Sequence, residues 1–211
     1  EQGDQLTGCS VAQAEQVVDQ AVALHAPTWG RALTIADEYD WVTRPSEDRL
    51  AGLEWLIGHT WPGFADRYGE RLGADDLALG KAIADRYRDL HGAITEWCER
   101  HDAWVVTHGD YRLDNLLFGD GVRSPAVTVV DWQTAGVGAG PADVAYFCGA
   151  GLLPDVRAAH ERSLVDRYAA GLRSAGVEVT DEAVWDGYVL GSASGFLMAI
   201  IASQIVEQTE R

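Results

Sequence analysis

Apolar residues recur along this chain in two rhythms, and the change from one to the other separates helical flanks from a short β-rich centre. Near the start, Val11, Val17, Val18, Ala21 and Leu24 fall close to helical spacing. Ser10 precedes them with Gln13 three residues on, a pairing in which each side chain satisfies an orphan backbone donor of the other, so a helix is expected to begin there. Pro27 and Gly30 close it. The stretch EYDWVTRPSEDRLAGLEWLIGHTWPGF reads as a Trp-rich connection carrying one short helix after Ser46. From Asp75 to about Arg100, Leu77, Ile83, Tyr87, Leu90, Ile94 and Trp97 recur at steps of three, four or six, the pattern of one long helix.

The rhythm then shifts. AWVVTH and NLLF are short and β-rich, and after the turn-forming GDGVRSP comes a third such run, AVTVVDW. These predict a strand, an irregular loop, and a hairpin whose second arm ends at Asp131. Beyond Pro141, a residue suited to the first turn of a helix, helical patterns return at about 141–149, 155–174 and 181–208. The expected class is mainly α with a small β-hairpin insert (α+β). With 211 residues, 47% of them hydrophobic, the chain suffices for one buried core, and a single domain over 1–211 is expected.

Charge narrows the partners. Lys and Arg number 16 against 33 acidic residues, a formal charge of -17 that repels phosphate backbones and anionic lipid surfaces, so neither nucleic acid nor a membrane is an expected partner. Such a surface attracts cationic small molecules and equally serves plain solubility. No apolar run is expected to reach the ~18 to 20 residues of a membrane span. Cys9, Cys98 and Cys148 lie far apart without a C-x-x-C pair, which fits reduced thiols of a cytoplasmic protein.

The polar residues of the β-rich centre carry the candidate chemistry. His108, Asp110 and Asn115 lie on one loop leaving a strand, and Asp131 ends the returning hairpin arm. A hairpin brings its two ends together, so Asn115 and Asp131 are expected to meet. An amide oxygen facing a carboxylate suits Mg²⁺, which takes few protein oxygens and keeps its other positions for water and phosphate. Asp110 is then free to accept a proton from an attacking hydroxyl. The glycines of GVGAGP do not make a dinucleotide site, because the third glycine of G-x-G-x-x-G would fall on Pro141. They read as flexible residues after Asp131.

His108-Gly109-Asp110-Tyr111-Arg112-Leu113-Asp114-Asn115 resembles the H-x-D-x-x-x-x-N catalytic loop of protein-kinase-like enzymes, and Asp131-Trp132-Gln133 resembles their D-F-G triplet. The HGD form with DW downstream is most similar to the aminoglycoside phosphotransferase and choline kinase-like family. The resemblance implies the carboxy-terminal lobe of a protein-kinase-like fold, with Asp110 as catalytic base and Asn115 and Asp131 as Mg²⁺ ligands. It implies ATP as co-substrate, with Leu117 and Val130 either flooring an adenine ring or simply packing the hairpin. His108 is expected to brace the loop. Asp143 either bonds the loop backbone or sits in a helical first turn where negative charge is favoured anyway. Arg112 either balances charge on the transferred phosphoryl group or pairs with a surface acid. The implied acceptor is a small-molecule alcohol of the aminoglycoside, choline or sugar kind; Trp41, Trp55, Trp61, Glu38 and Asp40 either line an aromatic, acidic pocket suited to a cation or, for the tryptophans, simply pack the helices.

The pattern also departs from a complete enzyme of this class, which needs a strand Lys for the phosphates. Lys81 is the only lysine and falls inside a helix, and residues 1–100 lack the β-rich runs of a nucleotide-binding lobe. The expectation is therefore a catalytic lobe whose amino-terminal partner lobe lies outside this chain, inactive by itself. A stand-alone binding module that keeps the loop for reasons of fold is the alternative, and a metal-dependent hydrolase is a third.

Overall fold

The computed structural model describes residues 1–205. It is mostly helical, with two small antiparallel sheets. The elements in chain order are α1 (Val11–His25), α2 (Ala32–Glu38), α3 (Glu47–Asp85), α4 (Tyr87–Arg100), β1 (Trp104–Thr107), β2 (Leu116–Phe118), β3 (Val127–Val129), β4 (Gly136–Ala139), α5 (Gly140–Gly151), α6 (Pro154–Ser174), α7 (Asp181–Gly191) and α8 (Ser194–Ile205).

α1 begins as its sequence dictates. The Ser10 hydroxyl accepts from the Gln13 amide, and the Gln13 side chain bonds back to Ser10. Val17, Val18 and Ala21 then face inward against α6 in the principal core, which also takes in Val144 and Phe147 of α5 and Leu164, Tyr168 and Leu172 of α6. Burying such side chains contributes roughly 1.5–3 kcal/mol each.

The region before α4 corrects the expected short helix and Trp-rich connection. α3 is long, entered through a Ser46 cap, and runs through Pro62 to a break in helical geometry at Gly73 (φ 78°). Its glycines and Pro62 resemble breakers, yet Ile57, Trp61 and Phe64 share one face and pack on Leu197, Ile200 and Ile201 of α8. Tertiary burial outweighs local propensity here. Likewise the expected continuous helix over 75–100 is divided at Arg86, with only its second half forming α4.

β2 and β3 form the expected hairpin, pairing Leu116 with Val129, Leu117 with Thr128 and Phe118 with Val127. The second sheet was not expected. β4 pairs antiparallel with β1, Trp104 opposite Ala139 through Thr107 opposite Gly136, so GVGA is a strand and not a flexible segment. Thr43 packs so closely on β4 that a Cβ at Gly136 would stand 2.8 Å from its carbonyl oxygen. Only glycine fits there.

α7 and α8 overlap the helix expected over 181–208, but a turn at Ser192–Ala193 divides it, and positions 206–208 lie outside the described residues. By length and mean hydropathy the run Asp181–Ile205 could cross a membrane, which amends the reading that no stretch is apolar enough. Scattered Gly and Ser, with Asp181, Glu182 and Asp186 near its start, interrupt the run without lowering its mean far. In the fold α7 packs on α5 and α8 on α3, with Val184, Tyr188, Leu197 and Ile200 buried.

Candidate active site

β1 delivers His108 and Gly109 to a point above the first turn of α5, and β4 leads directly into that helix. This juxtaposition places Asp143 beneath the loop. Its Oδ2 accepts from the His108 amide at 2.7 Å and its Oδ1 from the Gly109 amide at 3.0 Å. Gly109 adopts φ +79°, and a Cβ there would meet the Thr134 carbonyl oxygen at 2.7 Å, so glycine is required at the turn. Asp143 is only 3% exposed. It also meets the buried His25, whose Nε2 lies 3.2 Å from Asp143 Oδ2 while Nδ1 lies 2.8 Å from the Tyr168 hydroxyl. A carboxylate only accepts, so in the neutral ring Nε2 donates to Asp143 and Nδ1 accepts from Tyr168. Burial pushes the Tyr168 phenol well above its ordinary range, so it remains a donor.

His108 is fully buried and joins the two sides of the site. Its Nε2 donates to the Val130 carbonyl at 3.0 Å, its Nδ1 accepts from the Asp110 amide at 3.3 Å, and its carbonyl accepts from the Thr134 hydroxyl. The ring also meets Trp132 edge-on at 5.0 Å. Such partners leave both nitrogens occupied.

The Asp110 carboxylate is held by three donors. Tyr146 donates to Oδ1 at 3.0 Å, and Arg112 Nε and Asn115 Nδ2 donate to Oδ2 at 3.0 and 2.9 Å. Burial and the neighbouring Asp110 charge raise the Tyr146 phenol far above its ordinary value, so it stays protonated and donating. A carboxylate offers about four acceptor positions, which leaves Oδ1 room for one more donor on the side where Asp110 lines a cavity of about 730 Å³. Arg112 bonds Asp110, Asp114 and Gln5 together. It therefore pairs with acids and also lines the cavity.

Asn115 is buried, and its Nδ2 also donates to the Asp110 carbonyl at 2.9 Å. Both neighbours of that nitrogen are acceptors, which fixes the amide orientation and turns Oδ1 away from Asp110. The Val130 amide donates to the Asn115 carbonyl at 3.0 Å, extending the hairpin by one step, so Asp131 follows immediately. Asp131 has left-handed backbone geometry (φ 65°, ψ 66°), is exposed, and has no hydrogen-bond or ion-pair partner among the described residues. As oxygen donors, Asn115 Oδ1 and the Asp131 carboxylate have the chemistry that a hard divalent cation takes.

Leu117 projects outward from the hairpin and is 37% exposed, whereas Val130 is half-buried between the His108 ring and the Asn115 carbonyl. Lys81 pairs with Asp85 one turn along α3 and belongs to no part of this site. Of the two readings of the tryptophans, the aromatic, acidic pocket does not form. Trp61 is packed in the α3–α8 core, Trp41 and Trp55 are 59% and 66% exposed, and no tryptophan lines the cavity beside Asp110. Helical periodicity took Trp61 inward and Trp55 outward. His25, Tyr168 and Tyr146 were absent from the sequence reading. Tyr146 had a signal, since it lies three residues after Asp143 on one helix face; His25 had none beyond its place at the end of an apolar helix.

Comparison with known proteins bears on this geometry. A family model described as "Phosphotransferase enzyme family" matches residues 10–187. Over 55 residues, 26% of this chain, the sequence is 42% identical to "Acyl-CoA dehydrogenase family member 10" of Mus musculus, and the match covers 5% of that relative's length.

Proposed function

Since the chain belongs to the phosphotransferase enzyme family, we propose that it is the catalytic lobe of an enzyme that moves the terminal phosphoryl group of ATP to a hydroxyl of a small molecule. The observation that carries this reading is the direct contact of Asp110 with Asn115 next to the unpaired, left-handed Asp131. Asp110 lines the cavity with one acceptor position to spare, so a hydroxyl bound there donates its hydrogen bond to Oδ1. As that oxygen attacks the γ-phosphorus, its proton passes to Asp110 and the bond to the ADP leaving oxygen breaks. Tyr146, Arg112 and Asn115 keep the carboxylate from turning, and such positioning supplies much of the rate in phosphoryl transfer. Asn115 and Asp131 would hold Mg²⁺, which when bound supplies neutralisation of the phosphate charge. Leu117, outward on its strand, suits an apolar contact with the nucleotide base, with Val130 behind it.

Lys81 is committed to Asp85 on α3, so the lysine that clamps the nucleotide phosphates belongs, on this reading, to a partner lobe outside the chain. The reading includes neither nucleic acid nor a membrane as partner, in keeping with the charge of -17. The test is release of ADP from Mg-ATP by the intact gene product over a panel of hydroxylated small molecules. Asp110→Asn should lower turnover by about 10²–10⁴-fold or more, with the fold retained by circular dichroism. Near-normal turnover in that variant contradicts the assignment, and release of phosphate from a phosphoester without nucleotide would favour a hydrolase.

A further inference from the structure

The charges around the candidate base run opposite to those of the chain. Acidic residues outnumber basic ones 33 to 16 overall. Yet the cavity beside Asp110 carries Arg112 and Arg157, and among its described lining residues Asp110 is the only acid. A second cavity of about 330 Å³ touches Gly109 on the other side of Met198, which lines both, and it carries Arg44, Arg49 and His91 with no carboxylate among the described residues. Four arginines therefore face the space next to the loop against one aspartate. Asp114, Glu161 and Asp37, which pair with three of these arginines, line neither cavity.

Arg157 is the best placed of the four. It rises from α6 beside Gly149 of α5 and is held by Glu161 through Nε at 2.9 Å. Glu161 is in turn fixed by the Tyr188 hydroxyl at 3.0 Å. Glu161 and Tyr188 engage part of the guanidinium, and its remaining N–H donors are available to a carboxylate. Between Arg157 and Asp110 the wall is small and apolar, formed by Ala145, Gly149, Ala199 and Phe196, with Met198 as an adaptable filler.

Resting on the phosphotransferase reading, we propose that the acceptor is an anionic alcohol: a molecule whose hydroxyl meets Asp110, whose apolar body lies on the alanine, Phe196 and Met198 wall, and whose carboxylate is bound by Arg157. A cationic alcohol would bring its charge against the arginines that line the cavities, whose paired acids Asp114, Glu161 and Asp37 stand outside the lining, an arrangement that selects against it.

The probes are ω-hydroxyalkanoates of four to ten carbons, their methyl esters, and amino alcohols of matching length. Each is offered with Mg-ATP to the intact gene product, with ADP release as one readout and calorimetric binding without nucleotide as a second. The acids should exceed their esters in kcat/KM by about tenfold or more, the scale of a charge-assisted hydrogen bond, and the amino alcohols by a wider margin. Arg157→Gln should erase the acid-over-ester preference chiefly through KM, and Arg157→Lys should restore part of it. Preference for amino alcohols or esters, or an acid preference that survives Arg157→Gln, overturns the proposal. So does failure of every acid to bind. Acids that bind in an Arg157-dependent manner without being phosphorylated retain the anion site and overturn the phosphotransferase reading instead.

Discussion

The loop from His108 to Asn115 and the turn at Asp131 face each other across the hairpin, and they hold their carboxylates in opposite ways. In the loop, Asp110 takes hydrogen bonds from Tyr146, Arg112 and Asn115, and the backbone beneath it is anchored on Asp143. Across the hairpin, Asp131 is exposed, left-handed and unpartnered among the described residues. A side chain that must present one oxygen to a reacting proton gains from being fixed beforehand. One that is to bind a cation gains from leaving its lone pairs free, and strain in its backbone is tolerated where a site requires it. On the proposed reading, the contrast is the division of labour between a base and a metal ligand.

Removing the anchor should break this contrast most severely. In Asp143→Asn one of the two acceptor oxygens becomes a donor, which in either orientation faces a loop amide that is itself a donor. Leaving buried donors unpaired should cost about 3 kcal/mol, read as a lowered urea midpoint, and turnover should fall with it. An unchanged midpoint would mean that the loop does not depend on the acid beneath it.

Raising the pH tests the same buried framework. Burial pushes the Tyr111 and Tyr168 phenols well above their ordinary value of 10.0. Above about pH 10 an unfolded chain releases those protons while the folded one keeps them, so the native state binds more protons and stability falls as pH rises. Stability should be level in this respect below pH 10 and decline above it, by about 1.4 kcal/mol per pH unit for each tyrosine kept protonated. Urea midpoints between pH 8 and 11.5 would reveal it; a flat profile would mean that the hydroxyls bonded to Val17 and His25 are not sealed from water.

On α5, Tyr146→Phe removes one of the three donors to Asp110 and leaves the ring in place. A loss of about 1 kcal/mol in transition-state stabilisation, or several-fold in turnover, is the expected scale for one hydrogen bond. A change in KM alone would assign Tyr146 to acceptor binding.

The sequence disclosed those parts of this picture that depend on short-range chemistry. The Ser10–Gln13 cap, the hairpin arms and the loop bearing Asp110 and Asn115 all lie within a few residues of their signals. What escaped depends on distant partners. β4 is a strand because Thr43 and β1 flank it, although its own residues are Gly, Val, Gly and Ala. α3 persists through Pro62 because α8 covers its apolar face, and α8 is over 100 positions away. His25 meets Asp143 across 118 positions and Tyr168 across 143, separations that no local pattern encodes.

The smallest effect separates the two carboxylates most clearly. A non-glycine residue held at φ 65° carries a conformational cost of about 1 kcal/mol, which glycine does not bear, although glycine returns part of that gain through the entropy of the unfolded chain. No partner among the described residues is lost when the Asp131 side chain is removed. Asp131→Gly should therefore leave stability unchanged or raise it by up to about 0.5 kcal/mol, whereas substitutions at Asp143 lower it. The same variant should lower Mg-dependent turnover by orders of magnitude while metal-free binding of the acceptor persists. A residue that matters to activity and is neutral or costly to the fold is being used for something outside the fold, and on the proposed reading that is the cation. Were Asp131→Gly to destabilise the protein and leave turnover intact, Asp131 would belong to the scaffold and the metal would have to be sought elsewhere.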